Sequence, residues 1–120
     1  MGFERYTKAG SRIGKPQISI WTRGQIGFNQ ASILEYNIDT YKYAVAHFDK
    51  EGNRIGITLT NDETEEGINK LVYRKSGGVS FSAMSFLKTH KVDYSKTIKY
   101  DIEYNTDANM FIINLGSGVG

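Results

Sequence analysis

The stretch Arg23-Gly24-Gln25-Ile26-Gly27-Phe28-Asn29-Gln30-Ala31-Ser32-Ile33-Leu34 runs from a strand end, through a glycine turn, into a short helix. It recurs in altered form as Ser76-Gly77-Gly78-Val79-Ser80-Phe81-Ser82-Ala83-Met84-Ser85-Phe86-Leu87. In each copy a β-branched residue follows the glycine by two, phenylalanine follows by two more, and a polar residue suited to capping a helix precedes a Ser-x-Leu segment. A shift of 53 positions also carries Ile18 onto Leu71 and Ile20 onto Tyr73. Inserting residues in loops extends the match: Ile38 falls on Val92, Ala44, Ala46 and Phe48 on Tyr100, Ile102 and Tyr104, and Ile55, Ile57 and Leu59 on Phe111, Ile113 and Leu115. The chain reads as one structural unit written twice.

Each unit is a strand, a turn, a short helix and a hairpin. Pro16 introduces a strand at 17–22 whose alternation puts Ile18 and Ile20 on one face and Ser19 and Trp21 on the other. Asn29 caps a helix from Gln30 to Tyr36 with Ile33 and Leu34 as its apolar stripe, and Asp49-Lys50-Glu51-Gly52-Asn53 turns a hairpin between 43–49 and 54–59. The second unit gives a strand at 70–75, Ser82 as cap of a helix from Ala83 to His90, and a hairpin of 97–104 and 110–115. Tyr73 and Tyr100 align with Ile20 and Ala44 and are expected in the core. Neither unit alone has enough apolar faces to close a core, so two units about a pseudo-two-fold axis bury them together. The expected fold is mainly β with two short helices, a small pseudo-two-fold β-barrel built from two strand-turn-helix-hairpin repeats. The expected organisation is a flexible basic arm at 1–15, one domain at 16–115 and a tail at 116–120. Within the domain, repeat 1 spans 16–60, an acidic linker 61–68 and repeat 2 69–115.

A chain of 120 residues is long enough for one real core without staples, and it has no cysteine, which excludes disulfides and thiolate chemistry. No apolar run approaches a membrane span and no apolar signal core opens the chain, so a cytoplasmic protein is expected. Its net charge of +2 permits a polyanionic partner without requiring one.

Thr22-Arg23-Gly24-Gln25-Ile26-Gly27-Phe28-Asn29-Gln30, followed by Leu34, Ile38 and a hairpin ending in Arg54-Ile55-Gly56-Ile57, resembles the AbrB-type swapped-hairpin family of transition-state regulators and antitoxins. The resemblance covers 17–59 by motif and 70–115 by shape. It implies a barrel that binds DNA, normally formed by two interlocked chains and here by one duplicated chain, a monomeric pseudo-dimer or a homodimer of it. Double-psi barrels, related in shape, stay open. The sequence departs from the family pattern in two ways. Asn29 stands where the family has proline, and the helix at 30–36 lacks the basic residues the family places there, whereas the second copy has Lys88, His90 and Lys91.

The residues expected to contact nucleic acid are Arg5, Lys8, Arg12 and Lys15 on the arm, Trp21 and Arg23 at the first turn, and Arg74 and Lys75 before the second. Duplex DNA is the expected partner, ahead of single-stranded nucleic acid stacked on Trp21. For each cation alone, a solvated strand-end charge is the competing reading. A protein-interaction module without nucleic acid is the alternative function, motivated by the absence of basic residues from the first helix and by the acidic run Asp62 to Glu66. No enzyme, cofactor or metal is expected: His47, Asp101 and Glu103 sit on outward faces with no nucleophile and base set in a pocket, and His47 and His90 lack metal-ligand spacing.

Overall fold

The computed structural model describes residues 15–75 and 77–117. The alternating apolar residues fold into ten strands: β1 Gln17–Ile20, β2 Gln25–Phe28, β3 Tyr43–Asp49, β4 Arg54–Thr60, β5 Ile68–Lys70, β6 Val72–Tyr73, β7 Val79–Ser82, β8 Ile98–Asp101, β9 Glu103–Asn105 and β10 Met110–Asn114. Helix α1 spans Gln30–Tyr36 and α2 spans Met84–Thr89.

The strands do not close into a barrel. They form two open antiparallel five-stranded sheets, one in the order β6-β7-β2-β1-β8 and the other β5-β3-β4-β10-β9. In place of the single strands expected at 70–75 and 97–104, two runs bend between the sheets. The run 68–73 breaks at Leu71, so that β5 pairs with β3 and β6 with β7. The run 98–105 breaks at Ile102, so that β8 pairs with β1 and β9 with β10. Bends of this kind turn the corners between packed sheets, and here they interrupt the hydrogen-bond ladder that a barrel would carry around its wall.

Both sheet centres are built on residues opposed to their own counterparts in the other repeat. Gly27 pairs with Ser80 in β2·β7, and Gly56 pairs with Ile112 in β4·β10. The inner faces of the two sheets enclose one core, in which Ile18, Ile20, Ile26, Phe28, Val79, Phe81 and Tyr100 meet Ala44, Ile55, Ile57, Phe111 and Ile113. The helices cover its flanks: Tyr36 of α1 packs on Phe111 and Tyr104, and Phe86 of α2 on Phe48.

Several side chains depart from the sequence expectation. Tyr73 is exposed rather than core, because β6 continues past the bend to the sheet edge; its hydroxyl donates to the carbonyls of Ile38 and Tyr41. Leu34 is exposed as well, since α1 buries Ala31 and Ser32 instead, whereas its counterpart Leu87 is fully buried. Ser82 remains in β7, and the N-cap of α2 is Ala83, with no side-chain cap bond.

The first helix is anchored differently. Asn29 Oδ1 accepts from the Ser32 N–H at 3.0 Å and the Gln17 N–H at 3.1 Å, and lies 2.6 Å from the hydroxyl of Ser32, which is itself fully buried. This network ties the helix start to β1, a task that a proline at this position could not perform because it has no side-chain acceptor. Replacing Asn29 with alanine is expected to lower the unfolding free energy by about 1–2 kcal/mol. Ser82→Ala, at the equivalent but uncapping position, stays within about 0.5 kcal/mol. Urea midpoints at constant m-value measure both, and equal losses would contradict the asymmetry of the caps.

Candidate nucleic-acid interface

The turn after β1 is held by the Trp21 N–H donating to the Gln25 carbonyl and the Gly24 N–H donating to the Trp21 carbonyl, both at 2.9 Å. The turn after β6 repeats the pattern: the Arg74 N–H donates to the Gly78 carbonyl at 2.8 Å and the Gly77 N–H to the Arg74 carbonyl at 3.0 Å. Gly24, at φ +79°, and Gly77, at φ +105°, supply the backbone conformation both turns need. Trp21 and Arg74 therefore occupy the same place in the two repeats, and the antiparallel pairing of β2 with β7 brings them face to face on the outer side of the first sheet.

They meet above the Gly27·Ser80 pair. The six-membered ring of Trp21 fills the space over Gly27, where any Cβ would collide with it. The guanidinium carbon of Arg74 lies over this ring, 5.1 Å from its centroid, a cation–π contact. Arg74 Nη2 also donates to Ser80 Oγ at 3.2 Å and reaches Gln25 Oε1 at 3.4 Å. Ser80 is buried at 1% exposure, so Arg74 is its polar cover. Trp21 is half-buried and committed to the sheet and to Arg74, while Arg74 itself is exposed. In a dimer of identical chains this position would face its own copy, arginine against arginine or indole against indole. Two repeats in one chain allow the complementary pair.

A groove of about 460 Å³ is lined by Trp21, Thr22, Arg23, Gln25, Arg74 and Thr97. A neighbouring groove of about 330 Å³ shares Gln25 and Arg74 and adds Lys70. Neither is lined by a carboxylate. Among the described residues, no acidic side chain forms an ion pair with Arg23 or Arg74.

Of the eight residues singled out from the sequence, the structure brings Trp21, Arg23 and Arg74 into one groove. Lys75 lies exposed in the second turn, outside the residues lining that groove. Lys15 stands at the β8 edge and pairs with Asp101 at 3.1 Å. Hydrogen bonds from Gln17 and then from Lys15 hold the Asp101 carboxyl below its usual pKa, but both ion-pair partners are largely exposed, so the pair adds little to stability. Arg5, Lys8 and Arg12 lie outside the described residues. Gln25 and Ser80, the anchors of Arg74, were not singled out in the sequence. The shift of 53 positions that relates the repeats also relates Trp21 to Arg74, and that signal leads to the pair and its neighbours.

The outward residues His47, Asp101 and Glu103 are not assembled together. Asp101 belongs to the first sheet and the other two to the second, where β4 and β10 separate His47 from Glu103. His47 Nε2 lies 3.1 Å from Thr58 Oγ1. Among the described residues no helix is long and apolar enough to cross a membrane. No family model matches the chain, and no curated protein or solved structure is significantly similar to it.

Proposed function

We propose that the protein binds duplex DNA through the outer face of its first sheet, acting in the cytoplasm as a transcription regulator or antitoxin-type protein of the kind the AbrB-type resemblance implies. The observation that carries this reading is the meeting of Trp21 and Arg74 across the two repeats, with Arg23 in the same groove and no carboxylate lining it. Guanidinium groups on the outer face of a sheet suit the phosphates of a duplex, and their binding releases condensed counterions. Arg74 is already oriented by the indole, Ser80 and Gln25, so less rotamer freedom is lost when it engages a phosphate. Because Trp21 is committed to Gly27 and Arg74, it serves as a platform for the cation, which favours a duplex over a stacked single strand.

Trp21 is the sole tryptophan of the chain, so its fluorescence reports directly on the site. Titration with a short duplex at low salt is expected to change it. Arg23→Ala and Arg74→Ala are each expected to weaken binding about tenfold and to flatten the salt slope by about one unit. Absence of duplex binding at low salt, or variants with an unaltered slope, would overturn the proposal.

One observation favours the interaction-module reading. On the outer face of the second sheet, Ile68, Val45, Thr58 and Met110 form one cross-strand row, with Ile112 beside it. A protein that stays bound stoichiometrically in salt high enough to strip DNA would support that reading.

A further inference from the structure

The two repeats also differ at the corner where each helix ends against a hairpin. In the first, Tyr36 at the end of α1 packs on Tyr104, with ring centroids 5.0 Å apart at 30°. In the second, His90 just past α2 stacks on Phe48, at 4.5 Å and 19°. The residue after each helix-end aromatic is left-handed: Asn37 at φ 53° and Lys91 at φ 55°. The facing hairpin turns match too, with Asn109 at φ 50° and Asn53 at φ 53°. The left-handed backbone positions and a contact between the helix-end ring and a hairpin ring are thus common to both corners.

Asp49 stands where the first corner has Asn105, but the side chains that line the groove have shifted toward positive charge. Lys50 stands where the first corner has Thr106, Thr89 where it has Glu35, His90 where it has Tyr36, and Lys91 where it has Asn37. Each exchange adds positive charge, removes negative charge or introduces a basic ring. Folding does not ask for them, because the first corner supports the same geometry without these cations. Lys91 works against folding, since a left-handed residue is better supplied by asparagine, as in the other corner.

The second corner opens a groove of about 560 Å³ lined by Phe48, Lys50, Asn53, Thr89, His90 and Lys91, without a carboxylate. The adjacent Asp49 does not neutralise it: its carboxylate accepts from Arg54 at 2.8 and 3.1 Å and from the Gly52 N–H at 3.1 Å. Among the described residues, the side-chain N–H groups of Lys50, Lys91 and Asn53 make no hydrogen bond to protein, in contrast with the engaged Arg74.

We propose that this corner is a binding site for a phosphoryl group, held by the ammonium groups of Lys50 and Lys91 with the Asn53 amide and the His90 ring N–H completing the donor set. Ammonium groups are compact point charges suited to such an anion, and the paired aromatic rings wall one side. The site shares no lining residue with the Trp21–Arg74 groove and does not rest on the proposed DNA contact there. A phosphorylated small molecule and a nucleic-acid backbone offer the same chemistry.

The test follows backbone amide shifts of the full chain by heteronuclear NMR during titration with sodium pyrophosphate. Saturable shifts at Lys50, Asn53 and Lys91 are expected, with Arg74→Ala leaving them unchanged. Lys91→Asn, which installs the residue of the other corner, is expected to weaken the interaction about tenfold while the thermal midpoint holds or rises, so lost folding cannot account for lost binding. The double variant Lys50→Thr with Lys91→Asn is expected to abolish the localised shifts. No shift at millimolar pyrophosphate, shifts centred on Arg74, or equal binding by Lys91→Asn would overturn the proposal. Titration with a short duplex identifies the source. If the corner amides move with the duplex, the phosphoryl group belongs to a nucleic-acid backbone; if they move with pyrophosphate alone, it belongs to a small phosphorylated ligand. Either result supports the site.

Discussion

Phe28→Ala is expected to lower the unfolding free energy by about 3–5 kcal/mol, a large part of the stability of a domain this size. Phe28 is 2% exposed and sits where the two sheets face each other. Its ring meets Phe111 of the opposite sheet edge-on, with centroids 5.2 Å apart at 74°. Truncation removes the transfer free energy of the ring and that aromatic contact, and it leaves a void between two hydrogen-bonded sheets that cannot collapse freely. Chemical denaturation of the variant measures the loss. A value under about 1 kcal/mol would mean that the two sheets do not share a close-packed core.

Gly24→Val is expected to cost about 3 kcal/mol, combining left-handed strain of about 1–2 kcal/mol with a steric displacement of similar size. Gly24 has φ +79°, where a β-branched residue is a genuine outlier. A Cβ there would lie 2.8 Å from the Met84 Cβ and 3.1 Å from the Met84 Cα. Those atoms sit at the start of α2, so the collision is with a helix rather than with the end of a flexible side chain. The same movement would pull apart the bond from the Ala83 N–H to the Gly24 carbonyl, 2.8 Å long, which links the first turn to the second helix. Thermal unfolding reads the loss, and a midpoint equal to that of the parent chain would refute the close approach.

The inward faces were legible from alternation because a strand has a side-chain period of two, and a single buried face is enough to impose it. Ile18, Ile20, Ile26, Phe28, Val79, Phe81, Ile55, Ile57, Phe111 and Ile113 are all buried. Alternation put Tyr73 on the correct face, opposite the buried Val79, but β6 is the edge strand of its sheet and Tyr73 stays exposed there. The closed barrel failed for a different reason. A pattern of faces is equally compatible with a wall that closes and with two open sheets, and the difference lies in whether hydrogen bonding continues through Leu71 and Ile102. At the candidate site, Arg23 and Arg74 were legible as cations near glycine turns. The attachment of Arg74 to Trp21 was not, because it depends on register across β2 and β7.

By itself the sequence determined most of the core and the glycine turns, since both follow from local backbone limits and the spacing of apolar residues. Only the tertiary structure decided that the strands form two open sheets, that Trp21 supports Arg74, and that one helix-end corner is basic where its counterpart is not. These depend on which residues are opposed across the sheets and between helix and hairpin, and such pairings are set by long-range packing and hydrogen-bond register.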